Sequence, residues 1–163
     1  MRRHDREITD YREILEIMEH CEACRLAFNA DPVPYILPLN FGLESHDGKI
    51  TLWFHGALEG TKYDFLPGRA AFEMDTDQGY FYDEKAQDCT FLYESVIGRG
   101  LVSEVYTDSE KKHGLDLIME HAGCGDKPWH LEVLKATRVF RLEVEALRAK
   151  RRPLPGSCGR QSA

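Results

Sequence analysis

No apolar run in this 163-residue chain approaches the ~20 residues that a membrane-spanning helix needs, so no membrane insertion is expected. Met1-Arg2-Arg3-His4-Asp5-Arg6-Glu7 leads into no apolar stretch, which argues against a signal peptide and for a cytoplasmic protein. Cysteine is sparse and odd in number: Cys21, Cys24, Cys89, Cys124 and Cys158 follow no regular spacing. A disulfide framework is therefore not expected, and free thiols in a reducing compartment are. Positive charge is also short. Lys plus Arg total 21 against 28 Asp plus Glu, a formal charge of -7. Neutralising phosphates needs clustered cations, so neither nucleic acid nor an anionic membrane is an expected partner. Any anionic ligand must be held by a local basic group. The alternating strand–helix rhythm of a doubly wound parallel sheet is missing too.

What is present is ordinary globular material, with 42% hydrophobic and 30% charged residues in a length that suits one domain. Asp10 can cap a helix in which Tyr11, Ile14, Leu15, Ile17 and Met18 share a face. After Cys24 the period changes, and Leu26 and Phe28 alternate with polar or small neighbours as in a half-buried strand. Tyr35 to Phe41 reads as a second strand, at an edge or with a bulge because of Pro38. His46-Asp47-Gly48-Lys49 is a hairpin signal leading into a strand from Ile50 to His55. A short helix is expected over Leu58–Leu66 and a strand over Arg69–Thr76. Residues 77–90 are polar and read as a loop with a solvated acidic surface. Phe91 to Tyr106 predicts a long strand, or a pair broken near Gly98 and Gly100. Asp108 or Ser109 caps a helix to about His121, a weaker helix covers Leu131–Leu134, and Arg138–Val144 is a last strand. Residues 1–148 thus form one domain. Residues 149–163 are basic and rich in Pro and Gly, and are expected to be a disordered tail.

Three segments could carry chemistry. In Phe54-His55-Gly56-Ala57-Leu58-Glu59-Gly60-Thr61-Lys62 a strand ends at a glycine and a short helix follows. A phosphate needs close backbone approach, hydrogen-bond donors and a cation, and Gly56, Gly60, Thr61 and Lys62 offer all three. The spacing alone equally allows a turn glycine and a solvated lysine. In Tyr35-Ile36-Leu37-Pro38-Leu39-Asn40-Phe41, Pro38 leaves backbone groups free to meet the rim of a flat ring. Taken by itself, that segment reads better as a plain edge strand. Ser95-Val96-Ile97-Gly98-Arg99-Gly100 has glycines at i and i+2 inside an apolar strand, marking a barrel corner, a bulge or a close approach. Without a third glycine it is no dinucleotide fingerprint.

Other clusters fit bland roles. Cys21-Glu22-Ala23-Cys24 closes a helix where a thioredoxin-like pair would open one, and no second pair accompanies it for zinc. Cys24 is read as a packed small residue. His20, His113, His121 and His130 have no carboxylate-supported metal spacing, so no metal site is expected.

Taken together, the three segments resemble the FMN-binding split-barrel family that includes pyridoxamine 5'-phosphate oxidase, and in particular its nitroimidazole-resistance branch. The matching phrases run in order from Met1-Arg2-Arg3 through Pro38-Leu39-Asn40-Phe41-Gly42, Phe54-His55-Gly56-Ala57, Phe72-Glu73-Met74-Asp75 and Ser95-Val96-Ile97-Gly98. The resemblance implies a mainly β fold: a six-stranded antiparallel Greek-key split β-barrel with flanking helices, forming a homodimer with FMN near its interface. By the same likeness Pro38, Leu39, Asn40 and Phe41 line the isoalloxazine, and Phe54, His55 and Gly56 stand beside it. Thr61 and Lys62 hold the phosphate. Ser95, Val96 and Ile97 contribute from the barrel wall, in their own subunit or across the dimer. The implied activity is a flavin-dependent oxidoreductase that reduces small acceptors, including nitroimidazoles, with His55 as the catalytic polar group. A non-catalytic binder of haem or another planar ligand on the same barrel is the alternative.

Overall fold

A computed structural model describes residues 4–85, 87–125 and 128–152. Its elements are β1 (Glu7–Ile8), α1 (Tyr11–His20), β2 (Cys24–Phe28), β3 (Tyr35–Leu39), β4 (Gly42–His46) and β5 (Lys49–Gly56). A short 3-10 helix (Thr61–Phe65) precedes β6 (Gly68–Asp83) and β7 (Asp88–Val105), and α2 (Asp108–His121), α3 (Leu131–Lys135) and β8 (Arg138–Arg152) complete the chain. The strands form one antiparallel sheet in the order β3-β2-β6-β7-β8-β5-β4, with β1 added against β8. This is the split-barrel architecture, though with eight strands in place of the six expected.

Local chemistry accounts for most element boundaries. The Asp10 carboxylate accepts from the backbone N–H groups of Arg12 (2.9 Å) and Glu13 (3.0 Å), which starts α1. Ile14, Ile17 and Met18 then point into the barrel. Cys24, Leu26 and Phe28 face the same interior while Arg25 faces out. Asp47 and Gly48 both take positive φ (50° and 74°), as the tight turn between β4 and β5 requires. Thr107, one residue before the expected cap, accepts from Glu110 N–H at 3.2 Å and starts α2.

Two expectations need correction and one alternative is decided. Residues 77–90 are largely strand: β6 and β7 run on past the barrel as a two-stranded arm, with a register shift between Asp77 and Tyr80. That shift breaks the period-2 pattern, and the polar composition hides the rest. Of the two readings of residues 91–106 the long strand holds: β7 is continuous, its register against β8 shifts between Arg99 and Gly100, and its glycines mark close approach as well. A Cβ on Gly98 would lie 2.5 Å from the Phe72 ring, and one on Gly100 would lie 2.1 Å from the Glu143 carbonyl oxygen. Finally, β8 runs to Arg152, so residues 149–152 of the expected tail belong to the sheet, and Ala149 is fully buried. The rest of that tail, with Cys158, lies outside the described residues.

The core has two parts. Phe28, Phe41, Phe54, Phe72 and Phe140 fill the barrel interior together with the buried face of α1. A smaller cluster, including Trp53, Leu115, Ile118 and Val139, lies under α2. Because β8 separates the two, Val139 and Phe140 are buried on opposite faces, which is why this strand shows no clean alternation in sequence. Among the described residues no helix is long and apolar enough to cross a membrane.

Candidate functional site

The corner where β5 ends is the best-formed candidate. Gly56 closes the strand opposite Arg138 of β8, and the chain turns through Gly60 (φ +151°) into the Thr61–Phe65 helix. A Cβ on Gly56 would lie 2.7 Å from Lys62 Cε, 2.8 Å from Lys62 Nζ and 2.7 Å from the Tyr63 hydroxyl. The missing side chain of Gly56 leaves the space that Lys62 takes as it folds back over the strand end. The Lys62 ammonium sits 4.6 Å from the centroid of the Tyr63 ring, and among the described residues no carboxylate pairs with it. Thr61 is exposed beside it.

Tyr63 anchors this corner. Its hydroxyl donates to the Ala57 carbonyl (2.7 Å), and the Arg138 guanidinium lies 3.5 Å from its ring centroid. Arg138 is itself committed: its Nε donates to Glu104 at 2.7 Å, and Nη1 donates to the Leu58 carbonyl at 3.3 Å. So two cations flank one ring, and only Lys62 keeps its charge free. Neither Tyr63 nor Arg138 was singled out from sequence. Tyr63 adjoins the lysine and could have been. Arg138 is brought in by the β5–β8 register, which no local pattern reveals.

His55, one residue before Gly56, projects from the outer side of β5 and is exposed. Partial desolvation, and then the neighbouring Lys62 ammonium, lower its pKa below the ordinary imidazole value. It is therefore neutral at pH 7 and can offer one ring N–H as a donor.

The 3-10 helix also ties this corner to the second predicted segment. Phe65 stacks on Tyr35 (centroids 5.7 Å apart) and on Phe28 (5.2 Å), seating the helix against the β2–β3 end. Along β3, which is an edge strand as expected, Pro38 is exposed and Leu39 half-buried; Asn40 follows, exposed. Side chains divide sharply here. Phe41 is fully buried against the His121 ring (4.2 Å), and Phe54 is fully buried against Phe140 (5.3 Å). Val96 likewise faces the barrel interior. These three can meet a ligand only through their backbone.

The third segment faces elsewhere. Ile97, half exposed, shares with Ile36 an open apolar groove of about 650 Å³ on the outer sheet face, with Ser95 half-buried nearby on β7. The Tyr35 end of the second segment thus meets this corner through Phe65, whereas Asn40 and Phe41 lie beside His20, Cys21 and His121, and the third segment is set on a separate surface. Cys21 and Cys24 are buried in the core, and burial pushes both thiols up, Cys21 to about 12, which leaves them unreactive.

Comparison with known proteins agrees with this architecture. No sequence among curated proteins matches. A solved structure described as a putative 5-nitroimidazole antibiotic resistance protein from Bacteroides thetaiotaomicron is 25% identical. The match covers 88% of this chain and 85% of that one, with a TM-score of 0.75. A flavocytochrome from Azotobacter vinelandii (19% identity, 95% and 73% covered, TM-score 0.78) shares the fold, as does a FAD and heme binding protein from Mycobacterium smegmatis (18%, 90% and 73%, 0.75). A family model described as pyridoxamine 5'-phosphate oxidase matches residues 10–151, and the chain belongs to that family.

Proposed function

We propose that this protein is an FMN-dependent oxidoreductase that reduces small acceptors, nitroaromatic compounds among them, and works as a homodimer. The observation that carries the proposal is the unpaired Lys62 ammonium, folded over Gly56 and adjoining the exposed His55. A free cation beside a hydroxyl suits a phosphate, and the donors here are Lys62 and Thr61. Because the helix is a single short turn, the side chains supply the affinity and the helix dipole adds little. The exposed edge of β3 at Pro38–Asn40 offers backbone groups to the rim of a ring system, and Gly56 allows close approach.

When bound, FMN would supply the electron-transfer chemistry, which no side chain can. The chain's own part is to orient an acceptor and handle a proton. His55 holds one N–H toward that side at neutral pH and becomes a proton donor as pH falls through its lowered pKa. The likeness to the nitroimidazole-resistance protein supports nitro compounds as acceptors.

The test begins with the absorption spectrum of the purified protein, which should be that of a flavin. Bound flavin is then reduced anaerobically and mixed with a 5-nitroimidazole in a stopped-flow instrument. Reoxidation should be fast in the wild type and ~10²–10⁴-fold slower in His55→Ala, the usual worth of a placed proton donor. A protein that takes up no FMN rejects the proposal, as does a haem spectrum. Equal rates in the two proteins would remove His55 from the chemistry.

A further inference from the structure

Lys62 sits on a turn that does little to hold it. Thr61–Phe65 is one short 3-10 helix, and Gly60 before it has no side chain with which to cap it. A lysine has a long flexible stem, and laying it over a glycine gives up much of its rotamer freedom. The frame that keeps it there must come from outside the turn.

Tyr63 is the point of attachment. Its buried ring meets Phe140 edge-on, with centroids 6.1 Å apart, and carries the Arg138 guanidinium 3.5 Å from its centroid. Burial pushes the Tyr63 phenol above its ordinary value, so at neutral pH it keeps its proton and donates to the Ala57 carbonyl. Arg138 grips the turn twice, at this ring and at the Leu58 carbonyl (3.3 Å), and it is also the ladder partner of Gly56.

What holds Arg138 is Glu104. In the β7–β8 ladder Glu104 pairs with Phe140, so it stands diagonally from Arg138 on the same side of the sheet. Its two carboxylate oxygens accept from Arg138 Nε (2.7 Å) and Nη2 (2.5 Å), a forked pairing that fixes the plane of a guanidinium as well as its place. The Glu104 side chain is only 10% exposed. Without that carboxylate, a half-buried guanidinium would turn to water, leave the ring and release the Leu58 carbonyl.

We propose that Glu104 is a positioning residue for the FMN phosphate: it acts through Arg138 and Tyr63 to keep Lys62 over Gly56, and touches no part of the cofactor itself. The inference rests on the phosphate reading of Lys62 given above and extends it to the far end of β7. Glu104 also keeps Arg138 from competing for the anion, so that Lys62 meets it as the free cation of the notch.

The test titrates FMN and riboflavin into the flavin-free full chain, in the wild type, Lys62→Ala, Glu104→Gln and the double variant. Circular dichroism checks that each protein folds. Glu104→Gln should weaken FMN about tenfold and leave riboflavin within about twofold, as expected for members of one coupled network. In the Lys62→Ala background the same change should weaken FMN by less than about twofold, because the group through which it acts is gone. Glu104→Gln with Arg138→Met leaves no unpaired charge behind, so it covers the case in which the single variant unfolds, and it should show the same phosphate-selective loss. A merely structural role would weaken both flavins alike and would add to the Lys62 effect, and either result overturns the inference while Lys62 keeps its part. Tighter FMN binding in Glu104→Gln also overturns it, because Arg138 would then be a phosphate ligand that Glu104 restrains. A wild type that binds both flavins equally, or a Lys62→Ala protein that keeps the full preference for FMN, removes the phosphate reading and this inference with it.

Discussion

The two ends of the barrel use their cations in opposite ways. Near the C-terminal end of β8, Arg151 is spent on structure. Its Nε donates to Glu94, only 6% exposed, and its Nη1 donates to Glu13 of α1 at 2.9 Å. One guanidinium fastens β8, β7 and the capping helix together. At the end of β5 the chain does the reverse. Arg138 takes up Glu104, and Lys62 is left without a carboxylate, laid over Tyr63 beside two glycines. A buried carboxylate whose cation is itself held from two sides keeps a fold in one geometry, and a charge left free at a notch is available to a ligand.

Removing Arg151 should give the largest effect. Arg151→Ala strands the buried Glu94 carboxylate, and breaking such a pair typically costs 3–5 kcal/mol, so urea unfolding should shift by about that much. A loss under about 1 kcal/mol would place Arg151 among ordinary surface pairs and dissolve the contrast. Lys62→Ala should do the opposite, with stability nearly unchanged and FMN affinity lower by roughly 1.5–3 kcal/mol, as for a charged hydrogen bond to phosphate. Riboflavin has no phosphate, so its affinity should not fall, and an equal loss for both flavins would rule Lys62 out as the phosphate ligand. Smaller again is Gly56→Ala. The new methyl group meets Lys62 and the Tyr63 hydroxyl, and the flexible lysine can give way more easily than the hydrogen-bonded tyrosine. Overpacking of this kind costs ~1–3 kcal/mol, and thermal melts should show a loss in that range with weaker FMN binding. Unchanged values for both would mean that the corner is looser than its geometry.

How much of this was legible in advance differs between the same two regions. The β5 corner could be read because its parts are local: strand, glycine, turn, glycine, lysine within nine residues of chain from Phe54 to Lys62. The first helix, the alternating β2 and the Asp47-Gly48 hairpin were legible for the same reason. What escaped depends on register. Arg138 joins the corner only because Gly56 pairs with it across β5 and β8, and Arg151 meets Glu13 only through tertiary packing. The burial of the Phe41 and Phe54 rings escapes the family likeness, which carries positions and says nothing of which way a ring turns. The arm escaped because Asp77, Gln78 and Gly79 carry turn chemistry, and the register shift there breaks the pattern that marks a strand.

The smallest expected effect lies in the titration of His55, and it bears most directly on whether Lys62 is free. Two causes lower the pKa of this histidine: desolvation first, then repulsion from the Lys62 ammonium. The folded protein therefore binds this proton less tightly than the unfolded chain, whose imidazole titrates near 6.5. Above pH 6.5 neither state holds the proton and the contribution to stability is complete. As pH falls from there through the folded pKa, the unfolded state takes up more protons and stability declines. Replacing Lys62 with Met keeps the bulk and removes the charge. Desolvation remains, so the pKa should rise only part of the way to its ordinary value. The ring signal can be followed by NMR, with His55→Gln identifying it among the seven histidines. An unchanged pKa in Lys62→Met would mean that the ammonium does not reach the ring, and that the phosphate-holding and proton-handling groups are not neighbours. A full return to the ordinary value would mean that charge outweighs burial at this position, and that a bound phosphate, by offsetting Lys62, would itself raise the pKa of His55.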